Sequence, residues 1–214
     1  MNPRKSFSHL KEQERQARKE HIVAAAERVF ASKPFHDVHI RDIAREAAIS
    51  PALIYRYFPD QQALFVEAFL QNGARIIEVL DGLRLEDATG TQGLDRLVEG
   101  FINYLTENDL YFKMLVNFML EGSLTPEMLE RVKAQDRMIF DRFDIVFRKI
   151  RPDGSLRVLS HALFASLSGI LISFRNYPDK TPEELKNYMK FLGRVIRDMI
   201  AAGIETIDVN SLHH

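Results

Sequence analysis

Apolar residues recur along most of the chain at the three- and four-residue spacing of an amphipathic α-helix, and the alternation typical of a strand is almost absent. Proline, glycine and capping residues separate these stretches. The pattern predicts an all-α protein of nine helices, at about 12–31, 39–47, 51–58, 61–80, 94–106, 110–120, 126–150, 155–176 and 182–202. A looser linker is expected at 83–93.

The start of the last helix has the most complete capping signal. Thr181 precedes Pro182, and Glu184 follows three positions after the threonine. The Thr181 hydroxyl can accept from the Glu184 amide while the Glu184 carboxylate accepts from the Thr181 amide, which is a capping box. The sequence therefore predicts that this helix begins at Pro182.

The most informative segment covers residues 38–58, which reads as two short helices joined by a tight turn at 48–50. Ser50 is a good helix cap, and Pro51 suits the first helical position, where a missing amide costs nothing. Ile54 and Phe58 lie four residues apart and predict the buried side of the second helix. The outward or rim positions are then Ala52, Leu53, Tyr55 and Arg56.

An outward helix surface of small, apolar and aromatic residues with one arginine is unusual for a solvated helix, and it suits the major groove of DNA. Small side chains permit close approach and contact thymine methyl groups, while arginine binds guanine or phosphate. The first helix of such a pair crosses the DNA backbone. Arg41, at its start, is expected to reach a base edge or a phosphate.

Residues 19–69 resemble the tetracycline-repressor (TetR) family of bacterial regulators. Four stretches carry the resemblance, at 22–30, 43–47, 54–58 and 63–65. The resemblance implies that Arg41 and the face formed by Pro51, Ala52 and Leu53 read bases. It implies that Tyr55 and Tyr57 hold phosphates, with Arg56 at the groove edge. The rest of the chain matches that family only in length and helix count.

Four positions depart from the family pattern. Pro34 stands near a usual glycine and is expected to preserve a turn. Ala48 stands where a glycine is usual, so it is strained if its φ is positive. His39 replaces the usual threonine cap of the first short helix. Gln61 replaces a lysine that commonly binds phosphate, so we expect Gln61 to donate to phosphate without releasing a counterion.

Charge is divided unevenly along the chain, whose net charge is −1. Residues 1–58 carry eleven Lys and Arg against seven Asp and Glu, a net charge of +4, and the remainder carries eighteen against twenty-three, a net charge of −5. A polyanion would therefore meet the N-terminal end. The N-terminal basic residues either add DNA contacts or belong to a solvated tail, and both interpretations stay open. These residues are Arg4, Lys5, Lys11, Arg15, Arg18 and Lys19.

Composition argues against several other functions. Cysteine is absent, which excludes disulfides and cysteine-based metal sites or nucleophiles. We find no phosphate-binding glycine loop, no His, Asp and Glu grouping at metal spacing, and no catalytic triad context, so we expect no enzyme activity, cofactor or metal. With no signal-peptide core and no apolar run judged long enough to span a bilayer, a cytoplasmic protein without a membrane partner is expected.

The middle of the chain is unusually rich in aromatic residues and methionine. Most of these residues are expected in a packed core, but such side chains also make adaptable walls for an apolar ligand, and the resemblance implies an effector cavity here. Polar candidates within this region are Asn103, Asn117, His161, Ser166 and Arg175. The predicted lining residues are Phe101, Tyr104, Phe112, Phe118, Met119, Met138, Phe143 and Phe164.

The last two helices carry apolar stripes and small residues that permit close helix approach. One recognition helix meets too few base pairs for specificity, so a two-fold dimer on a palindrome is expected. The resemblance implies that these helices pair across the two-fold axis as a four-helix bundle. The predicted interface residues are Leu163, Leu167, Leu171, Phe174, Leu192, Val195 and Met199.

Together these features predict a helix-turn-helix DNA-binding domain at 1–60 and a helical effector-binding and dimerisation domain at 61–214. The predicted function is a regulator, most often a repressor, that a small apolar or aromatic effector releases from a palindromic double-stranded DNA operator. Two alternatives stay open: an activator of the same type, and an apolar-ligand carrier whose helical head is only structural. DNA binding that depends on salt separates the carrier from the regulator.

Overall fold

The structure is a computed structural model that describes residues 3–121, 124–152 and 156–204. Within these ranges it contains no strand and nine α-helices, so the predicted all-α fold is confirmed. Single turns of 3-10 helix lie at Phe35–Asp37 and Leu85–Asp87. The helices are α1 (Pro3–Ser32), α2 (Ile40–Glu46), α3 (Pro51–Tyr55), α4 (Gln61–Gly82), α5 (Gln92–Glu107), α6 (Asp109–Glu121), α7 (Pro126–Ile150), α8 (Arg157–Phe174) and α9 (Pro182–Gly203).

The largest difference from the predicted boundaries is at the N-terminus. Helix α1 begins at Pro3, whereas the apolar pattern predicts a start near residue 12. Residues before Ile22 are mostly Lys, Arg, Glu and Gln, which are good helix formers but carry no apolar periodicity. At α8, the predicted start at Ser155 lies outside the described residues, and the described helix begins at Arg157.

The chain divides into two compact units, Met1–Asn72 with Leu110–Val132 and Gly73–Asp109 with Lys133–His214. The boundaries therefore fall inside α4, after the first residue of α6, and inside α7. In the first unit, α1 buries Ile22, Ala25 and Phe30 against the short helices that carry Ile43 and Ile54. This packing holds the three N-terminal helices together through apolar contact.

Helix α6 belongs to the first unit although it is distant in sequence. The Phe118 ring lies 5.8 Å from Phe65 and 5.3 Å from Phe69, measured between ring centroids. Asn117 Nδ2 donates to the carbonyl oxygens of Phe30 at 3.0 Å and Lys33 at 3.2 Å. These carbonyls lie at and just beyond the last turn of α1, where helices leave acceptors without intrahelical partners.

The second unit has a core built by α5, α8 and α9, with α7 against them. Phe101, Phe143 and Phe147 are completely buried there. Gly193 in α9 permits close approach of α5, because a Cβ at this position would lie 2.6 Å from Val98 Cγ1 and 2.9 Å from Ile102 Cδ1.

Two polar clusters of the second unit are paired. Ser160 Oγ donates to Asp144 Oδ1 at 2.5 Å, and Arg157 Nη2 lies 2.9 Å from Asp144 Oδ2. Arg175 donates to Asp109 Oδ1 through Nε at 3.0 Å and Nη2 at 2.7 Å. Both residues belong to the second unit, so Arg175 joins the end of α8 to the segment that follows α5.

The predicted capping box of the last helix is present. The Glu184 amide donates to Thr181 Oγ1 at 3.3 Å, and the Thr181 amide donates to Glu184 Oε2 at 2.7 Å. These hydrogen bonds from Thr181, first from its backbone and then from its hydroxyl, hold the pKa of Glu184 below its usual value. The carboxylate is thus ionised at neutral pH. The helix dipole stabilises such a negative charge in the first turn.

The expectation of no apolar run long enough for a bilayer is corrected by α8. Its 18 residues have a mean hydropathy of 1.5, which meets the requirement by length and composition. The pattern misleads because α8 is apolar on two sides. Leu163 and Leu167 are buried in the second unit, while Ile172 on the other side is 52% exposed.

Candidate nucleic-acid interface

The turn between α2 and α3 is compact and is closed by backbone hydrogen bonds. The Ile49 amide donates to the Ala44 carbonyl at 3.0 Å, and the Ala48 amide donates to the Arg45 carbonyl at 3.2 Å. His21 of α1 supports this corner, because its Nε2 lies 2.9 Å from the Ala47 carbonyl oxygen. The sequence pattern gave no signal for this role of His21, since an exposed polar residue on α1 has no apolar periodicity.

Helix α3 begins as the sequence predicts. The Leu53 amide donates to Ser50 Oγ at 3.3 Å, and Pro51 occupies the first helical position. Ile54 is completely buried and Phe58 is 4% exposed. Ile54 fixes α3 on its inner side, and Phe58 fixes the chain just after it, because α3 ends at Tyr55 and not at residue 58 as predicted.

The outward surface of α3 carries the residues that the sequence predicts for DNA contact. Ala52, Tyr55 and Arg56 are exposed, with Tyr55 at 55%. Pro51, Leu53 and Tyr57 are half-buried at the rim.

A cleft of 640 Å³ brings Arg41, Tyr55 and Gln61 to one surface. Arg41 comes from α2, Tyr55 from the end of α3 and Gln61 from the start of α4. Three separate elements therefore contribute predicted DNA contacts to the same concave surface. The complete lining is His39, Ile40, Arg41, Asp42, Arg45, Tyr55, Pro59, Asp60 and Gln61.

The cations of the first unit fall into two groups. Lys19 is paired with Glu67, Arg28 with Glu46, and Lys33 with Asp42, at nitrogen–oxygen distances of 2.5–2.7 Å. In contrast, the described part of the chain offers no ion-pair partner to Arg41 or Arg56. These two guanidinium groups are exposed, so they are available to an external anion.

The start of α2 is stabilised by Asp42 rather than by its cap residue. The His39 amide donates to Asp42 Oδ2 at 3.1 Å, and Lys33 Nζ donates to the same oxygen at 2.7 Å. The Lys33 hydrogen bond, followed by the one from His39, holds the pKa of Asp42 below its usual value. The Asp42 carboxylate thus satisfies the backbone amide of the N-cap residue His39.

Gln61 has a partner that the sequence could not show. Its Nε2 donates to the Phe35 carbonyl oxygen at 2.9 Å. The side chain thus ties α4 to the 3-10 turn, and one of its two N–H groups remains for phosphate.

Replacing Gln61 with lysine is expected to steepen the dependence of log K on log salt by about 1 for each copy of the chain on the DNA, because each added phosphate contact releases about one more counterion. Binding to a selected duplex is measured by fluorescence anisotropy from low to physiological salt. Gln61→Met keeps the length of the side chain without charge and serves as the control. An unchanged slope in Gln61→Lys would exclude a phosphate near this position.

Ala48 has a φ of +53°, the left-handed conformation that favours glycine. Ala48→Gly is therefore expected to raise the free energy of unfolding by about 1 kcal/mol, as relief of the Cβ strain exceeds the added entropy of the unfolded chain. Urea denaturation followed by circular dichroism measures the change. Ala24→Gly, at an exposed position within α1, should have the opposite sign. Destabilisation by Ala48→Gly would contradict the strain.

The predicted effector-lining residues lie in both units. Phe112, Phe118 and Met119 lie in the first unit, on α6. The other five lie in the second unit: Phe101, Tyr104, Met138, Phe143 and Phe164.

Their exposures differ. Phe101 packs against Phe143 at 5.8 Å and Phe164 at 5.6 Å between ring centroids, while Met119 and Met138 are each 46% exposed. Among the polar candidates, Arg175 is bound to Asp109 and the buried Oδ1 of Asn103 has no hydrogen-bond partner in the described residues. A ligand role for these residues stays a prediction.

The predicted dimer residues require a partial correction. Leu163, Leu167 and Leu171 are completely buried within the second unit, so they cannot contact a second copy. Because α8 is apolar on two sides, its stripe alone did not show which side faces inward. Val195 and Met199 are exposed, at 39% and 66%. Phe174 and Leu192 are half-buried.

A capped, outward-facing second helix on a tight turn, beside cations that have no ion-pair partner within residues 9–121, is the arrangement of a helix-turn-helix DNA-binding protein. Residues 22–68 match the model of the bacterial regulatory proteins of the tetR family.

Relatives agree with this class. An uncharacterized HTH-type transcriptional regulator of Haemophilus influenzae is 26% identical over 58% of this chain and 59% of the relative, so the match spans under two thirds of that protein. UidR of Escherichia coli, an HTH-type transcriptional regulator, is 25% identical over 74% of this chain and 82% of UidR. The transcriptional regulator FadR of Bacillus subtilis, solved with stearoyl-CoA, has a similar fold with a TM-score of 0.64 at 17% identity, over 81% of this chain and 96% of FadR. The N-terminal segment of this chain is therefore similar to the DNA-binding region of tetR-family regulators, and the relatives that match a longer part of the chain are transcriptional regulators.

Proposed function

We propose that this regulator binds a palindromic operator as a homodimer and is released by a small apolar or aromatic effector. Residues 1–60 bind DNA, and residues 61–214 bind the effector and form the dimer. The protein works in the cytoplasm without a catalytic step or a cofactor. Repression relieved by the effector is the mode we favour, and activation is the alternative.

One observation carries the DNA-binding part of this proposal. Helix α3 buries Ile54 and presents Tyr55 and Arg56 outward, next to the unpaired Arg41. Within the described part of the chain, these cations and the Tyr55 hydroxyl have no internal partner, and they lie on a surface that fits a major groove.

The experiment selects binding sites for the purified full chain from a random pool of DNA duplexes, together with the region upstream of its own gene. A palindromic consensus with two half-sites about 34 Å apart, or a multiple of that spacing, is the expected result for a two-fold dimer. Binding of the selected duplex should weaken steeply with salt. Absence of an enriched sequence and of salt-dependent binding would refute the proposal and favour the carrier alternative.

An exposed apolar stripe on α9 supports the dimer. Tyr188, Phe191, Val195 and Met199 recur at three- and four-residue spacing and are 37–66% exposed. Exposed small residues on α8, among them Ala162, Ala165 and Gly169, leave room for a close second helix.

Phe191→Lys combined with Met199→Lys is expected to convert the dimer into a monomer, because two desolvated charges oppose burial of this stripe. Sedimentation velocity measures the mass, and the helical content should remain that of the wild type. Lys190→Gln, on a neighbouring position of the same helix, is the control. A dimer that persists in the double variant would move the interface elsewhere.

The proposed effector class rests on the second unit. Its core is rich in phenylalanine, and the similar fold of FadR was solved with stearoyl-CoA. Native mass spectrometry of the purified protein, followed by extraction, tests for a bound apolar molecule. Whether the bound molecule weakens or strengthens operator binding separates release from activation. Recovery of only a polar molecule would contradict the proposed apolar or aromatic effector class.

A further inference from the structure

The N-terminal part of α1 extends well beyond the core that it helps to build. The helix begins at Pro3, and from His9 to His21 no side chain is buried. Lys19 and His21 tie the end of this extension to the first unit, through Glu67 and the Ala47 carbonyl. Residues 9–18 are all exposed, so packing of the unit does not explain why the helix continues there.

One side of the extension is basic. Lys11, Arg15 and Arg18 follow one another at spacings of four and three residues, which puts them on the same face of the helix. We call these three residues the basic stripe. The described residues provide no ion-pair partner for Lys11 or Arg18. Arg15 lies 3.8 Å from Glu12, and both side chains are about 70% exposed, so this pair holds Arg15 only weakly.

The basic stripe faces a cleft that it shares with the end of the proposed DNA-contact helix. The cleft has a volume of 330 Å³. Arg56 and Tyr57, which directly follow α3, form its other side, and Glu14 is its one carboxylate. The surface of α3 and the basic stripe are therefore continuous within the first unit.

The chemistry of this cleft suits DNA phosphates better than a membrane. Four cations and a tyrosine hydroxyl surround it, and arginine and lysine are the side chains that bind phosphate most often. A membrane-surface helix needs an apolar face. Residues 9–21 contain a single large aliphatic side chain, that of Leu10.

We propose that the extension of α1 is a helical arm that grips the phosphate backbone next to the half-site read by α3. This inference rests on the proposed DNA-binding function and adds a second, sequence-independent surface to it. The arm strengthens binding to every duplex by a similar factor, and base specificity stays with Arg41 and α3.

The test measures anisotropy of the full chain with a selected operator and with an unrelated duplex across a range of salt. Lys11→Gln combined with Arg18→Gln should reduce the slope of log K against log salt by about 2 for each copy of the chain on the DNA, and should weaken binding to both duplexes by about tenfold or more at physiological salt. Glutamine keeps helix propensity, and circular dichroism confirms that α1 persists. Glu14→Gln should act in the opposite direction and tighten both duplexes by about twofold, because it removes a repulsive charge.

Arg148→Gln is the matched control, since Arg148 is an exposed cation of the second unit with no ion pair among the described residues. A wild-type slope in the Lys11 and Arg18 double variant overturns the arm but leaves operator binding intact. An equal loss per charge in Arg148→Gln also overturns it, because net charge alone would then explain the effect. If the wild-type chain binds no duplex, the proposed function itself fails. If the Lys11 and Arg18 double variant keeps the wild-type salt slope on DNA but no longer binds vesicles containing anionic lipid, the basic stripe would be assigned to membranes instead.

Discussion

Arg41→Ala is expected to weaken binding to the selected operator by about a hundredfold or more, because a bidentate contact of arginine with a base contributes about 1–3 kcal/mol and a dimer carries two copies. Arg41 is exposed and has no ion-pair partner among the described residues, so its removal leaves no internal charge unpaired. Tyr55→Ala should weaken the same complex, since Tyr55 shares the cleft with Arg41. Anisotropy at one fixed salt concentration measures both.

The controls separate loss of contact from loss of fold. Arg45→Ala changes an exposed arginine of the same helix that is already paired with Asp42 at 3.5 Å, and its effect should be smaller. Tyr55→Phe removes only the hydroxyl and separates a phosphate contact from packing. Each variant should keep the dimer and the thermal midpoint of the wild type. Wild-type affinity in both Arg41→Ala and Tyr55→Ala would refute the assigned roles.

Gly193→Val is expected to lower the free energy of unfolding by about 3 kcal/mol or more. A Cβ at this position already approaches Val98 Cγ1 to 2.6 Å, and the two further methyl groups of valine need space that α5 and α9 do not leave. Val98 is β-branched and completely buried, so it cannot move aside easily. Urea denaturation measures the change.

Two alanine variants make this prediction specific. Gly82→Ala, in the last position of α4 with no atom within 4 Å of the added Cβ, should be neutral or slightly stabilising. Gly193→Ala should be destabilising in spite of the better helix propensity of alanine, since its Cβ meets two side chains. Equal stability of Gly193→Val and wild type would mean that α5 and α9 are farther apart than the structure places them.

Local chemistry made most of the N-terminal domain predictable. The cap at Ser50, the proline after it and the spacing of Ile54 and Phe58 depend only on neighbouring residues, and each has its expected geometry. The capping box at Thr181 was predictable for the same reason. Helix number followed from apolar periodicity, which is strong in long helices.

Features that depend on tertiary structure were not predictable. The apolar sides of α8 are both rich in leucine and isoleucine, so periodicity could not tell that Leu163 faces inward while Ile172 faces outward. The carbonyl that binds Gln61 comes from Phe35, 26 positions earlier, and no local pattern encodes that contact. Polar helical residues such as Lys11 add no apolar periodicity, so the apolar pattern does not locate the start of α1 at Pro3.

The contribution of α6 to the first unit has a consequence for biosynthesis. A chain released or truncated after residue 72 lacks Phe118, so the Phe65 and Phe69 rings lose an aromatic neighbour. It also lacks Asn117, which leaves the Phe30 and Lys33 carbonyls to water. The DNA-reading head of the nascent chain thus reaches its final stability only after translation has passed α6, when more than half of the polypeptide has been made.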